Sequence, residues 1–445
     1  MNKKINLTEG NITKNLCLYT FHLLLSVIFQ QIYNISDSII AGKFLGEESF
    51  AAISNSYEIT LIFMAVSIGS NIGCSVIISQ LFGAKRYSDL KCAVYTAFIG
   101  GTILCLTMTL LGLVFLFDML KAINTPPEIF DNCALYLKIY ISGFSFMFLY
   151  NIATGVFSSM GDSITPLKFL VVSSLANIVL DILFVTKFEM KVEGIALATF
   201  IAQGGACIFA LISLYKRLSS ISQKTTSLFS VYFLKRISIV AIPSIIQQCF
   251  ISVGNIVIQG IINEYGTAVI AGYGAGVKLN NLTITTMSTL SNSVSAFTAQ
   301  NIGAQKHERI RIGFLVGLKI GAVIATIFTV LYLFFPGFLI SLFISDPTPF
   351  SVKTGCEFLY ILSPFYFVAV LKLVSDGVLR GSGAIRYFLC GTFADLILRV
   401  ILAYIFSCYF GSVGIWLSWP IGWIVGAVIS IFSYIRGVWI KKMIA

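Results

Sequence analysis

The chain of 445 residues is 57% hydrophobic and only 11% charged, with a mean hydropathy of +0.91, which excludes a soluble globular protein and describes one built for a bilayer. The net charge of +11 at pH 7 would suit nucleic acid, but most Lys and Arg residues fall at the start, in alternate loops and at the C-terminus. That distribution is the positive-inside bias: it removes nucleic acid as a partner and places both termini in the cytoplasm. The ten cysteines form no CxxC pair, so they read as small core residues rather than disulfides or metal ligands.

A helix crossing about 30 Å of hydrocarbon needs roughly 20 apolar residues. Twelve stretches qualify: 14–42, 52–80, 92–117, 133–157, 164–186, 194–215, 236–262, 268–298, 312–334, 356–379, 386–408 and 413–435. The first follows Lys3 and Lys4 but is too long for a signal peptide and lacks an A-x-A site, so it stays as a helix. It carries QQIYNISDSIIAG, where Asp37 stands in an otherwise apolar or weakly polar run, and His22 lies eight residues before Gln30. The second carries Glu58 and ends in SQLFGAK; the fifth carries Asn177 and Asp181, and the sixth Thr199.

The polar segment KRLSSISQKTTSLFSVYFLKR, Lys216 to Arg236, then divides the chain into an N-lobe (1–215), a cytoplasmic linker (216–236) and a C-lobe (237–445). The second half repeats the first. SQLFGAK returns as AQNIGAQ 220 positions later, GVFSSMG from Gly155 as GVLRGSG from Gly377, and Gln30 and Gln31 as Gln247 and Gln248. Six spans per half give both copies one orientation, so the expected fold is all-α and polytopic: twelve transmembrane helices in two six-helix lobes, related by a pseudo-two-fold along the membrane normal. Paired bundles of that kind enclose a cleft and serve transport by rocking. No nucleophile elbow, phosphate loop or metal cluster points to an enzyme.

Ionisable groups inside spans are costly and therefore candidates for function. They are Asp37, Glu58, Asp181, Lys278, Lys319, Lys372, Asp376, Asp395 and Arg399. Lys372 with Asp376, and Asp395 with Arg399, are spaced four apart and read as structural ion pairs on single helix faces. Asp37 and Asp181 have no cation within a turn. Both lie roughly 9 Å below the outer surface at 1.5 Å per residue, level with Thr199, with Asn177 one turn from Asp181. Four oxygen-bearing side chains can thus meet, and they suit Na+ or, through the carboxylates, protons. Glu58 and Lys278 stand at matching repeat positions, one acidic and one basic, and form a candidate outer gate; the alternative bonds each within its own lobe.

The order QQxYNxxDSxxxGxxLG, SQxxGAK, then AQNxGA in a second copy, resembles the MATE (multidrug and toxic compound extrusion) family over essentially the whole chain. The resemblance implies export of organic, often cationic, compounds against inward Na+ or H+ flow. It also implies an N-lobe cation or proton site at Asp37, Asn177, Asp181 and Thr199, which match its pattern one by one, closest to the DinF-like branch. Gln247 and Gln248 stand where another branch carries a Na+-binding glutamate, and His22 where the family usually has a proline. The expectation is therefore a plasma-membrane multidrug antiporter, monomeric and without cofactor beyond its coupling ion, with small organic substrates and the lipid bilayer as partners. A flippase for lipid-linked sugars is the alternative; it calls for a strongly basic cleft.

Overall fold

Lipid offers no partner to backbone N–H and C=O groups, so the apolar runs satisfy themselves as helices. The computed structural model describes residues 5–40, 44–225, 227–343 and 348–440; the side chains of 32–35, 37–39, 46, 47 and 50 lie outside that description. The helices are α1 (Ile12–Ile40), α2 (Gly46–Gly83), α3 (Tyr87–Val114), α4 (Leu116–Ala122), α5 (Pro127–Ser159), α6 (Ile164–Thr186), α7 (Val192–Ser219), α8 (Val231–Asn263), α9 (Thr267–Gly303), α10 (His307–Phe334), α11 (Pro336–Ser341), α12 (Pro349–Leu362), α13 (Tyr366–Gly381), α14 (Ile385–Phe410) and α15 (Ser412–Ile435). With α4 and α11 short, and α12 and α13 sharing one span, these make the twelve expected crossings.

Eleven crossings are apolar enough to be recognised by hydropathy alone. The twelfth, α9, is long but studded with Ser, Thr and Asn that it buries, among them Asn280, Thr283, Ser291 and Ser293. Most of their polar atoms bond internally: Thr283 donates to Leu279 O at 3.2 Å, Ser293 to Thr289 O at 2.9 Å, and Asn280 Oδ1 accepts from Tyr366 at 3.2 Å. The tenth crossing is interrupted by a 3-10 turn at Ser363–Phe365, where Pro364 has no N–H to continue the ladder. Thr329 Oγ1 donates to Ser363 O at 2.8 Å.

The repeat is visible in the backbone. α3 and α10 begin and end 220 positions apart, as do the short α4 and α11 at their first residues. Each preceding turn holds one non-glycine residue in the left-handed region, Lys85 (φ 58°) and Gln305 (φ 57°). Both turns close by the same bonds, Arg86 N to Leu81 O at 3.1 Å and Lys306 N to Asn301 O at 2.9 Å.

The chain divides into two compact units, one from Phe21 to Gln248 with Ile5, the other Asn6–Thr20 with the chain from Cys249 onward. In the first, α5 packs against α2, α3 and α7, and α6 against α7. In the second, α9 packs against α10, α12 and α13, and α15 against α13 and α14. The segment Asn6–Thr20 belongs to this second unit through specific bonds: Asn301, Lys306 and Arg309 donate to the carbonyls of Leu7, Thr8, Glu9 and Gly10. Small residues permit close helix approach. At Gly377 a Cβ would meet Ser291 O of α9 at 2.6 Å, and at Gly73 it would meet Ala241 Cβ at 2.5 Å; Gly205, whose pairing with Gly204 suggests a similar role, would meet nothing within 4 Å.

Candidate functional site

α6 and α7 run antiparallel about a short turn in which Glu189 takes φ 53°, and Gly194 lets the chain return closely, since a Cβ there would meet Met190 Cβ at 2.9 Å. This hairpin sets Asn177, Asp181 and Thr199 deep in the first unit, at 1%, 0% and 8% exposure. Asn177 Nδ2 donates to Thr199 Oγ1 at 3.3 Å. That assignment of the amide leaves its oxygen as an acceptor. Asp181 is one turn along the same face of α6 and takes part in polar interactions of its own.

An apolar cluster fixes the level of the site. Ile40 at the end of α1, Val185 of α6 and Ile195 of α7 are buried together. Val185 lies one turn from Asp181 on α6, Ile195 one turn from Thr199 on α7, and Ile40 about one turn from Asp37 along α1. The cluster brings the end of α1 against α6 and α7. Asp37 itself is in α1, and its side chain lies outside the described residues. Carboxylate, amide and hydroxyl oxygens are the donors of a hard cation, and a buried carboxylate can alternatively be neutralised by a proton. Among the described residues no group of three or more His, Cys, Asp or Glu could hold a metal ion, so any ion here draws on the amide and hydroxyl as well. Thr199 also borders a small crevice between α5 and α7, about 10 Å³ and so no larger than a water needs, lined by Tyr140, Phe144, Met147, Phe200 and Gln203.

In the second unit both expected ion pairs form. Lys372 Nζ is 3.0 Å from Asp376 Oδ2, and Arg399 Nη2 is 2.8 Å from Asp395 Oδ1. They are not separate, because Lys372 Nζ also lies 3.7 Å from Asp395 Oδ2. Ser430 of α15 donates to Asp376 Oδ1 at 2.6 Å, and the Arg399 guanidinium sits 4.4 Å from the Trp419 ring centroid. Arg380, sorted by sequence among the loop cations, is 8% exposed at the end of α13 and donates to Asn292 Oδ1 at 2.7 Å.

Glu58, Lys278 and Lys319 are exposed, and Lys278 Nζ lies 5.8 Å from the Phe343 ring centroid. His22 is half-buried, its Nδ1 3.0 Å from Ser163 Oγ at the start of α6.

The profile of the MatE family matches residues 23–183 and 243–405, one match in each half. The chain belongs to the MatE family. Two relatives from Bacillus subtilis (strain 168) align over nearly its whole length: the probable multidrug resistance protein YpnP, 28% identical with 98% of each chain covered, and the probable multidrug resistance protein YoeA, 26% identical with 98% of this chain and 96% of that protein covered. The fold matches a solved MOP superfamily transporter from Pyrococcus furiosus with a TM-score of 0.92 at 22% identity, each chain covered completely. This MatE protein is thus a multi-pass membrane transporter with twelve helices in two lobes. Ser430 and Arg380 are the polar partners that sequence reasoning missed in it. Ser430 gives no signal, being one serine among many, whereas Arg380 stands four residues after Asp376 and could have been found by that spacing.

Proposed function

We propose that this MatE protein is a secondary active multidrug exporter that moves amphipathic, often cationic organic compounds outward in exchange for Na+ or H+. Asp37, Asn177, Asp181 and Thr199 form its coupling site. The observation that carries the proposal is the shared level of Asp181 and the Asn177–Thr199 bond, one turn from the Ile40–Val185–Ile195 cluster that draws α1, α6 and α7 together. A carboxylate there binds Na+ or a proton from one side and releases it to the other as the surrounding helices open and close, and its charge state favours one arrangement over the other.

The remaining parts follow from the duplicated sequence. Residues 1–215 and 237–445 are the lobes and 216–236 the cytoplasmic linker, both termini face the cytoplasm, and the protein works as a monomer in the plasma membrane with no cofactor. Glu58 and Lys278, at matching repeat positions, are the candidate outer gate, the alternative being that each bonds within its own lobe. Aromatic and thioether side chains line the substrate cleft, since such surfaces accept varied flat organic cations. A flippase is not favoured, since the two relatives spanning the chain are named for multidrug resistance. The test is efflux of a fluorescent organic cation by the purified protein in proteoliposomes: the proposal requires transport driven by an ion gradient and lost in Asn177→Ala, and fails if efflux is unaffected by that change.

A further inference from the structure

The charge network of the second unit has one member that behaves as an ion rather than as half of a pair. Asp376 on α13 and Asp395 on α14 are 2% and 4% exposed, and two such carboxylates side by side need a cation between them. Arg399 is committed to Asp395 and to the face of Trp419. Arg380 is held by Ser291 and Asn292. The group between the carboxylates is the Lys372 ammonium, 3.0 Å from one and 3.7 Å from the other. Ser430 fixes the far oxygen of Asp376 from a third helix.

Space has been left for this arrangement. On α15 a Cβ at Gly426 would meet Lys372 Cε at 2.6 Å, and one at Gly422 would meet Asp395 Oδ1. The lysine stem therefore lies against a glycine wall, and its head sits among carboxylate oxygens contributed by two helices and organised by a third. Oxygens so placed, in a buried site, are the ligands of a small monovalent cation.

We propose that Lys372 is a tethered cation occupying a latent monovalent-cation site made by Asp376 and Asp395, with Ser430 orienting Asp376. The second unit consequently carries its ion covalently and does not exchange it, and removing the lysine side chain opens the site to Na+, K+ or a small alkylammonium. The inference is independent of the coupling site in the first unit.

The experiment measures thermal midpoints of the full-length protein in detergent, in choline chloride and then in sodium, potassium or methylammonium chloride at equal ionic strength. Lys372→Ala should melt well below the wild type in choline and regain at least half of that deficit, saturably, in one of the small cations, by more than the wild type gains. Adding Asp376→Asn should abolish the regain. Lys372→Met, which fills the space without the charge, should stay low in every salt. The proposal is overturned if Lys372→Ala equals the wild type in choline, if it melts equally low or fails to fold in all four salts, if the regain survives Asp376→Asn, or if the methionine variant is rescued.

Discussion

Replacing Asp395 with asparagine keeps the size of the side chain and removes only its charge. The change leaves Arg399, 8% exposed, without the carboxylate at 2.8 Å, and takes from Lys372 the second carboxylate at 3.7 Å. Three buried cations, Lys372, Arg380 and Arg399, would then face the single carboxylate of Asp376. Breaking a buried ion pair by removing one partner costs about 3–5 kcal/mol, because the stranded charge keeps its desolvation penalty. Trp419 remains beneath the guanidinium and offsets about 0.5–2 kcal/mol of that. A net loss of roughly 1–4.5 kcal/mol is expected for Asp395→Asn, read from denaturant unfolding of the protein in mixed micelles. Asp395→Asn combined with Arg399→Met should recover part of the loss, since two apolar partners of similar volume leave no stranded charge. An Asp395→Asn protein within about 0.5 kcal/mol of the wild type, or a double variant worse than the single ones together, would refute the reasoning.

Thr199→Val removes the acceptor of the Asn177 amide and should cost about 1–3 kcal/mol in ion binding, raising the ion concentration for half-maximal efflux, whereas Thr199→Ser should not. Gly377→Val, forced against Ser291 O, should destabilise the α9–α13 contact by about 1–3 kcal/mol or more, seen as a lowered melting temperature in detergent without change in α6 or α7. Glu58→Lys and Lys278→Glu should each impair efflux, and the swapped double variant should regain it if the two form a gate; purely additive losses would show that they do not.

The elements most legible in the sequence were those with a physical period. Spans, repeat and ion pairs four residues apart all depend on helix geometry, and the turns at Lys85 and Gln305 confirm that matched sequence made matched backbone. α9 was readable only by length, because the Ser, Thr and Asn residues it buries in the bundle lower its hydropathy. Contacts across helices were not legible. Spacing shows that Lys372 reaches Asp376 but is silent on Asp395 and Ser430, which only packing brings near. Nor could sequence show that the segment from Asn6 to Thr20 belongs with the second unit, because its anchor is backbone carbonyls caught by Asn301, Lys306 and Arg309, and a carbonyl carries no sequence signal.

The central proposal is that Asp37, Asn177, Asp181 and Thr199 form a site that couples efflux to an ion. Its most direct test is efflux of an organic cation from proteoliposomes with a Na+ gradient or an H+ gradient imposed alone, comparing the wild type with Asp37→Asn and Asp181→Asn. The account predicts that one gradient drives wild-type efflux and that both variants, folded in detergent, respond to neither. Gradient-driven efflux at near wild-type rate in either variant would contradict it.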